Sequence, residues 1–432
     1  MTRSTAPALR YLDGPSDFTV GSTPRLEPGS SAQQQAGPSR PWPRLVAVQA
    51  AEGLTADASL PLRHAVADLP LVDLGKVLAS QLIVWHHLAL YSPMRQVVDP
   101  LAPALFGWLA DSARLAVQIF LVMAGFLAAR SLMPDPARVK AQTWSELPQR
   151  LWQRYRRLAP PCLVAIALSL VCAALARCLS DDPAIPALPT WRQLLANLLF
   201  MQDIVGEEAL SAGLWYVAID LQLYALMLLL VAVRIALQRA GLALTLATWL
   251  MVAGGCACSL LWINRQPGQD IWAGYFFGAY GLGVLASWQG VQTPGVDRRW
   301  LVRLLVAGLA IAALGLEWRS RIALAGSVAL ALMLWPQGRA LQRWARQPVL
   351  AWLARSSYSI FLVHYGICLL VGAVLQVWSP DSPWLNALGL ILAWALSLCA
   401  GGLLHRHVER IGRGQAAHRP ARPGLVLLAA RT

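Results

Sequence analysis

The chain has 432 residues, of which 57% are hydrophobic and only 13% charged. Soluble proteins carry about 25% charged residues, so a water-facing globular surface of this size is excluded. The formal charge of +14 would suit nucleic acid, but the arginines sit in short segments between apolar runs, as in a membrane protein with basic cytoplasmic loops.

Residues 1–65 are rich in Ser, Pro, Gln, Ala and Gly, as in GSSAQQQAGPSRPWPR. Such a segment buries too little apolar surface to offset its ordering entropy, and a disordered cytoplasmic tail is expected. It lacks the apolar core of a signal peptide, so no cleavage is expected. Apolar runs of membrane-crossing length then recur. The predicted spans are 71–92, 113–132, 157–178, 213–236, 241–263, 271–288, 300–316, 321–335, 353–376 and 384–406. Residues 191–201 (WRQLLANLLFM) are apolar but too brief to cross, and are expected in the interface or against the bundle. The prediction is an all-α polytopic membrane helix bundle of about ten transmembrane helices. One membrane domain covers 66–412, and 413–432 form a cytoplasmic tail. The seven cysteines (Cys162, Cys172, Cys178, Cys256, Cys258, Cys368, Cys399) lie in apolar stretches without a C-x-x-C pair. Neither a metal site nor a disulfide framework is indicated.

Orientation follows from the basic residues. Arg138, Lys140, Arg150, Arg154, Arg156 and Arg157 flank the entry to the third span, and Arg239, Arg298, Arg299, Arg339, Arg343 and Arg346 fall on the same side. The alternate loops hold only Arg95, Arg192, Arg265 and Arg319, with Asp181, Asp182, Glu207 and Glu208 among them. The bias places both termini in the cytoplasm and requires an even number of spans.

The first span, DLGKVLASQLIVWHHLALY, is unusual in its polar content. At ~100° per residue, Lys76 and His87 differ by only about 20° in direction, and Asp73, Ser80 and Tyr91 lie within roughly 60° of Lys76. One stripe therefore carries all five. Ionisable groups in a span are costly and normally face a cavity or a partner. Lys76 sits near the cytoplasmic end and can snorkel. His87, ~16 Å further along the axis, is too deep to do so. A structural histidine bonded to a neighbouring helix is one reading of His87. A proton carrier near neutral pH is the other. Ser80 reads as a packing or backbone-bonding residue.

These residues resemble the first-span signature of acyltransferase family 3, a D-G-L-R pattern followed by a histidine eleven residues after the basic residue. Here Asp73-Leu-Gly-Lys76 and His87 occupy those places, with Lys for Arg. Further stretches follow in the family's order. VQIFLVMAGFL (117–127) resembles D-x-F-F-V-x-S-G-F-L, with Gln118 for the acid and Ala124 for the serine. RYRRLAPP (154–161) resembles R-x-x-R-L-x-P. LWYVAIDLQLY (214–224) resembles W-S-L-x-V-E-x-Q-F-Y, with Asp220 in the glutamate position. LARSSYSIFLVHYGI (353–367) resembles L-G-x-x-S-Y-x-L-Y-L-x-H-x-P, and HVERIG (407–412) is a weaker echo of V-E-R-P.

The resemblance implies a membrane O-acyltransferase, in bacteria an inner-membrane enzyme. It would move an acyl group, usually acetyl, from acyl-coenzyme A to a hydroxyl of a carbohydrate or another small acceptor. Acyl-coenzyme A would be a co-substrate, with no bound cofactor, and the lipid bilayer the other partner. His87 is the candidate base; Lys76, a candidate to bind the donor or to shift the pKa of neighbouring groups, can pair with Asp73 on the same face, and these three form the candidate catalytic set. Arg157 first and Arg156 second are candidates for the donor phosphates. Arg150 and Arg154 read better as ordinary basic loop residues. Asp220, Trp215 and Tyr224 are candidates for binding or orienting the acceptor, against an interfacial aromatic belt with Asp220 bonded to a neighbour. His364, Tyr358 and Ser357 read as structural before catalytic. A transporter or flippase of a glycan or lipid-linked intermediate, and an inactive family member, are the rival functions.

Overall fold

The computed structural model describes residues 69–91, 93–135, 143–182, 185–241, 244–290, 299–335 and 338–410. The expected N- and C-terminal tails lie outside these residues. Among the described residues every regular element is helical. The chain begins with α1 (Pro70–Tyr91), the short α2 (Pro93–Val98), α3 (Pro103–Asp111) and α4 (Val117–Leu132). The long α5 (Glu146–Leu179) leads to the short α6 (Trp191–Leu198) and α7 (Gln202–Val205). Next come α8 (Leu214–Arg239), α9 (Leu244–Leu261), α10 (Ala273–Trp288), α11 (Arg299–Leu316) and α12 (Ser320–Leu334). The series closes with α13 (Arg339–Ala345), α14 (Pro348–Trp378) and α15 (Pro383–Leu404), the last running into a π-helical turn at His405–Glu409.

Among the described residues seven segments are long and apolar enough to cross a membrane: Ala113–Leu132, Glu146–Leu179, Leu214–Arg239, Thr245–Arg265, Arg299–Leu316, Pro348–Trp378 and Pro383–Glu409. Ser320–Leu334 is a shorter apolar helix. Large apolar side chains such as Leu163, Val171, Leu229, Leu304, Ile311 and Ile391 point outward. That suits helices solvated by lipid rather than water.

Two predicted loops are partly helical. The helix expected at 157 begins at Glu146, so Arg150, Arg154 and Arg156 ride on α5 and not in a loop. The segment expected as the loop 336–352 contains α13 and the first turn of α14. A hydropathy reading registers only the apolar stretch. A helix continues past it wherever the polar residues are good helix formers, as Arg, Gln and Glu are here. Inside α5, Pro160 and Pro161 withdraw the amide donors that would reach the carbonyls of Arg156 and Arg157.

Helix α10 lies at the centre, with every residue from Tyr275 to Ala286 buried. A helix apolar all round has no face for solvent and is packed on all sides. It meets α4 backbone to backbone. A Cβ on Gly283 would fall 1.9 Å from the Val122 carbonyl oxygen, and one on Gly125 would fall 1.9 Å from that of Tyr280. Small residues at such a crossing let helices approach closely, the usual route to tight packing in lipid. The second seam joins α14 to α1, α5 and α15. Gly401 and Gly366 keep it narrow, against Ile360 and Ser169.

The apolar segment at 191–201 packs against the bundle. Thr190 caps α6 by accepting from the Gln193 amide, and Asn197, fully buried, donates to the carbonyls of Gln193 and Glu208. Phe200 takes the left-handed conformation, φ 56°, that turns the chain from α6 into α7. Its ring is buried near Tyr155.

Candidate active site

Helices α1 and α14 run side by side and each brings one histidine to their seam. His87 and His364 are both buried, with rings parallel to within 2° and Nδ1 of His87 2.6 Å from Nε2 of His364. Nδ1 of His364 lies 2.7 Å from the Phe361 carbonyl oxygen, one turn earlier on its own helix. A carbonyl only accepts, so Nδ1 of His364 bears the proton and its Nε2, in the neutral ring, accepts. His87 then donates from Nδ1, which leaves its Nε2 with the lone pair. This tautomer is assigned from the hydrogen-bond network. The Tyr91 ring stands 5.4 Å from that of His87 and meets Tyr365 edge-on. The His86 ring lies 5.0 Å from that of His87, tilted against it, and its Nδ1 holds the Leu109 carbonyl near the end of α3.

The remainder of the α1 stripe lies toward the helix start. Lys76 donates to Asp73 at 3.0 Å, with about a third of its side chain exposed. Ser80, fully buried, bonds the Val77 carbonyl of its own helix.

A second polar cluster forms where α5, α8 and α10 meet. Nη2 of Arg154 reaches both oxygens of Asp220, at 2.8 and 2.5 Å, and its guanidinium lies over the Tyr224 ring at 5.1 Å. Asp220 is 5% exposed. Arg154 is therefore not the ordinary basic loop residue that its sequence position suggests. Its partner is 66 residues away, so local charge counting could not find it. The Tyr280 hydroxyl is fully buried and makes no hydrogen bond among the described residues. Tyr216, one turn before Asp220, packs on Phe361 and Phe120 and so joins this cluster to the turn that carries His364. Trp215 packs against Phe276 of α10.

The other predicted residues fall at different places. Arg156 and Arg157 are exposed on α5. Tyr358 donates to the Leu158 carbonyl and touches Cys162 Sγ at 3.1 Å, tying α14 to α5. Ser357 bonds the Ala354 carbonyl within α14. Two buried groups absent from the predicted set belong to the same framework. Glu409 accepts from Ser359 at 2.8 Å and lies 2.9 Å from His405 Nδ1, anchoring the π-helical turn to α14. The HVERIG segment was the one signal in the sequence that pointed there.

Comparison with known proteins places this geometry in context. The model of the family described as an acyltransferase domain matches residues 70–406, most of the chain. A curated relative, "Regulator of hypoxia-inducible factor 1" of Caenorhabditis elegans, is 28% identical over 172 residues, covering 39% of this chain and 33% of that protein. This chain thus spans about a third of that relative. No solved structure matches.

Proposed function

The chain belongs to the acyltransferase family 3 domain family, and from that premise we propose that it moves an acyl group from acyl-coenzyme A, of which acetyl-coenzyme A is the first to test, to a hydroxyl of a carbohydrate or another small acceptor. The observation that carries the reading is the hydrogen-bonded pair on the α1–α14 seam. In the assigned tautomer Nε2 of His87 holds a lone pair, and the ring is fixed by His364, itself fixed by the Phe361 carbonyl. An oriented imidazole with an open nitrogen is what general-base removal of an acceptor proton requires. A base held by a second group that is held in turn is the recurring logic of acyl-transfer sites.

In this reading the acceptor oxygen, relieved of its proton by His87, attacks the thioester carbonyl. The sulfur of coenzyme A leaves and recovers a proton as thiol. Lys76 and Asp73 lie several helical turns below on α1 and serve the donor end of the site. Arg157 and Arg156, exposed at the start of the apolar part of α5, suit its phosphates by charge. Asp220, Trp215 and Tyr224 line the acceptor side, with Asp220 acting through Arg154. In this reading the protein sits in a cell membrane with about ten crossings and both termini in the cytoplasm, an orientation that the basic-residue bias supports.

The test is acyl transfer by the purified protein in lipid nanodiscs, with labelled acetyl-coenzyme A and candidate glycans. General-base catalysis contributes about 10²–10⁴-fold, so His87→Ala is expected to lower transfer by at least that lower figure. Equal label transfer by wild type and variant removes His87 from the mechanism. Movement of a glycan across the bilayer without acylation replaces the enzyme by a carrier.

A further inference from the structure

A third polar cluster lies away from both sites, at the end of the bundle where α9 and α11 stop and α10 and α12 start. Arg319, 8% exposed, donates from Nη1 to the Asn264 side-chain oxygen at 2.6 Å and from Nη2 to the Leu260 carbonyl at 2.9 Å. Arg321 donates from Nη2 to the backbone carbonyl of the same Asn264 at 3.0 Å, and its guanidinium lies 4.9 Å over the Tyr275 ring. Because both arginines hold one residue, the two guanidiniums are neighbours. Arg265 pairs with Glu317 at 3.1 Å.

The charge does not balance. Among the described residues three guanidiniums face one carboxylate, since Glu317, engaged by Arg265 at 3.1 Å, also pairs with Nε of Arg319 at the longer distance of 4.0 Å. Three donor nitrogens, Nε of Arg319 and Nε and Nη1 of Arg321, are shielded from solvent and make no hydrogen bond among the described residues. A buried unsatisfied donor is costly, more so on a charged group, and native structures seldom tolerate several together. Arg319 also stands at the N-terminus of the fifteen-residue α12, where the helix dipole favours negative charge. Donors that outnumber acceptors, in a field with positive surplus, fit an anion with several oxygens. Planar guanidiniums match phosphate by geometry as well as charge.

The setting narrows the source. Trp262 (66% exposed) and Trp318 (64%) flank the cluster on the outer surface, with Trp272 close by in sequence to Tyr275. Indole rings collect at the depth of lipid headgroups. We propose that Arg319 and Arg321 form a binding site for the phosphate of an anionic membrane phospholipid, which ties the ends of α9, α10 and α12 together. Nothing in the acyl-transfer reading is needed for this site.

The experiment uses the full chain in nanodiscs of phosphatidylcholine, with phosphatidylglycerol or a polyprenyl phosphate added. Retained lipid is measured by native mass spectrometry and thermal unfolding by tryptophan fluorescence. Wild type is expected to retain phosphatidylglycerol over phosphatidylcholine and to unfold at a higher temperature with it. Loss of one charge-assisted contact weakens retention by roughly ten- to a hundred-fold in Arg321→Gln. Arg319→Gln removes two bonds, to the Asn264 side chain and the Leu260 carbonyl, whereas Arg321→Gln removes one, to the Asn264 carbonyl, so Arg321→Gln is the variant that keeps the test readable if the former misfolds. Arg343→Gln on α13 serves as the control and is expected to leave retention unchanged. Equal retention of both phospholipids, or equal retention by wild type and Arg321→Gln, overturns the proposal. Preference for the polyprenyl phosphate overturns the phospholipid assignment in favour of a lipid-linked ligand.

Discussion

The Arg154–Asp220 pair offers the sharpest test of how the bundle is held together. Asp220→Asn keeps the shape of the side chain and removes its charge. The Arg154 guanidinium, held between α5 and α8 with its side chain 24% exposed, then has the Tyr224 ring beneath it but has lost its carboxylate. Removing one partner of a buried pair costs about 3–5 kcal/mol, and the residual exposure of Arg154 puts the cost near the lower end. A loss of about 3 kcal/mol lowers the folded-to-unfolded ratio by roughly a hundred-fold. Arg154→Met should cost a similar amount by stranding Asp220, which is nearly inaccessible. The double variant removes both charges and leaves neither stranded, so it should be milder than either single change. The assay is reversible unfolding in bicelles for all four proteins, read as a double-mutant cycle. A coupling of about 2–3 kcal/mol is expected. Additivity within about 0.5 kcal/mol would refute the reasoning, because contacting residues do not add and distant ones do.

Two further outcomes follow from particular contacts. His364→Asn should lower kcat by about 10²-fold, the scale expected when a reacting group loses its alignment, with little change in KM for the donor. The pH profile should also shift, which loss of packing alone would not produce; an unchanged profile removes His364 as a positioning residue. Gly283→Ala places a Cβ 1.9 Å from the Val122 carbonyl oxygen, where only backbone movement relieves the overlap. It should cost about 1–3 kcal/mol or more, seen as lowered unfolding temperature. Gly308→Ala, whose Cβ meets nothing within 4 Å, should be neutral or slightly stabilising by helix propensity, and equal effects at the two positions would remove the close crossing.

Much of this architecture is legible in the order of residues because lipid imposes a local rule. Each spanning segment must satisfy its own backbone hydrogen bonds and present apolar side chains over a fixed length, so composition alone marks α4, α8, α11 and α15 nearly to their ends. The same locality exposes the α1 stripe, since Asp73, Lys76 and His87 share one helix and their angular relation follows from spacing. The rule fails where polar residues continue a helix beyond the apolar zone, as at the start of α5 and in α13. What no local rule contains is which helix faces which. His87 finds His364 across 277 residues, Arg154 finds Asp220, and Arg319 and Arg321 converge on Asn264. Those meetings depend on shape complementarity, on glycines that let α4 touch α10 and α14 touch α15, and on the cost of burying any charge alone. Sequence therefore determined the solvent, the helices and the side chains able to do chemistry, while only tertiary packing decided which of them are partners.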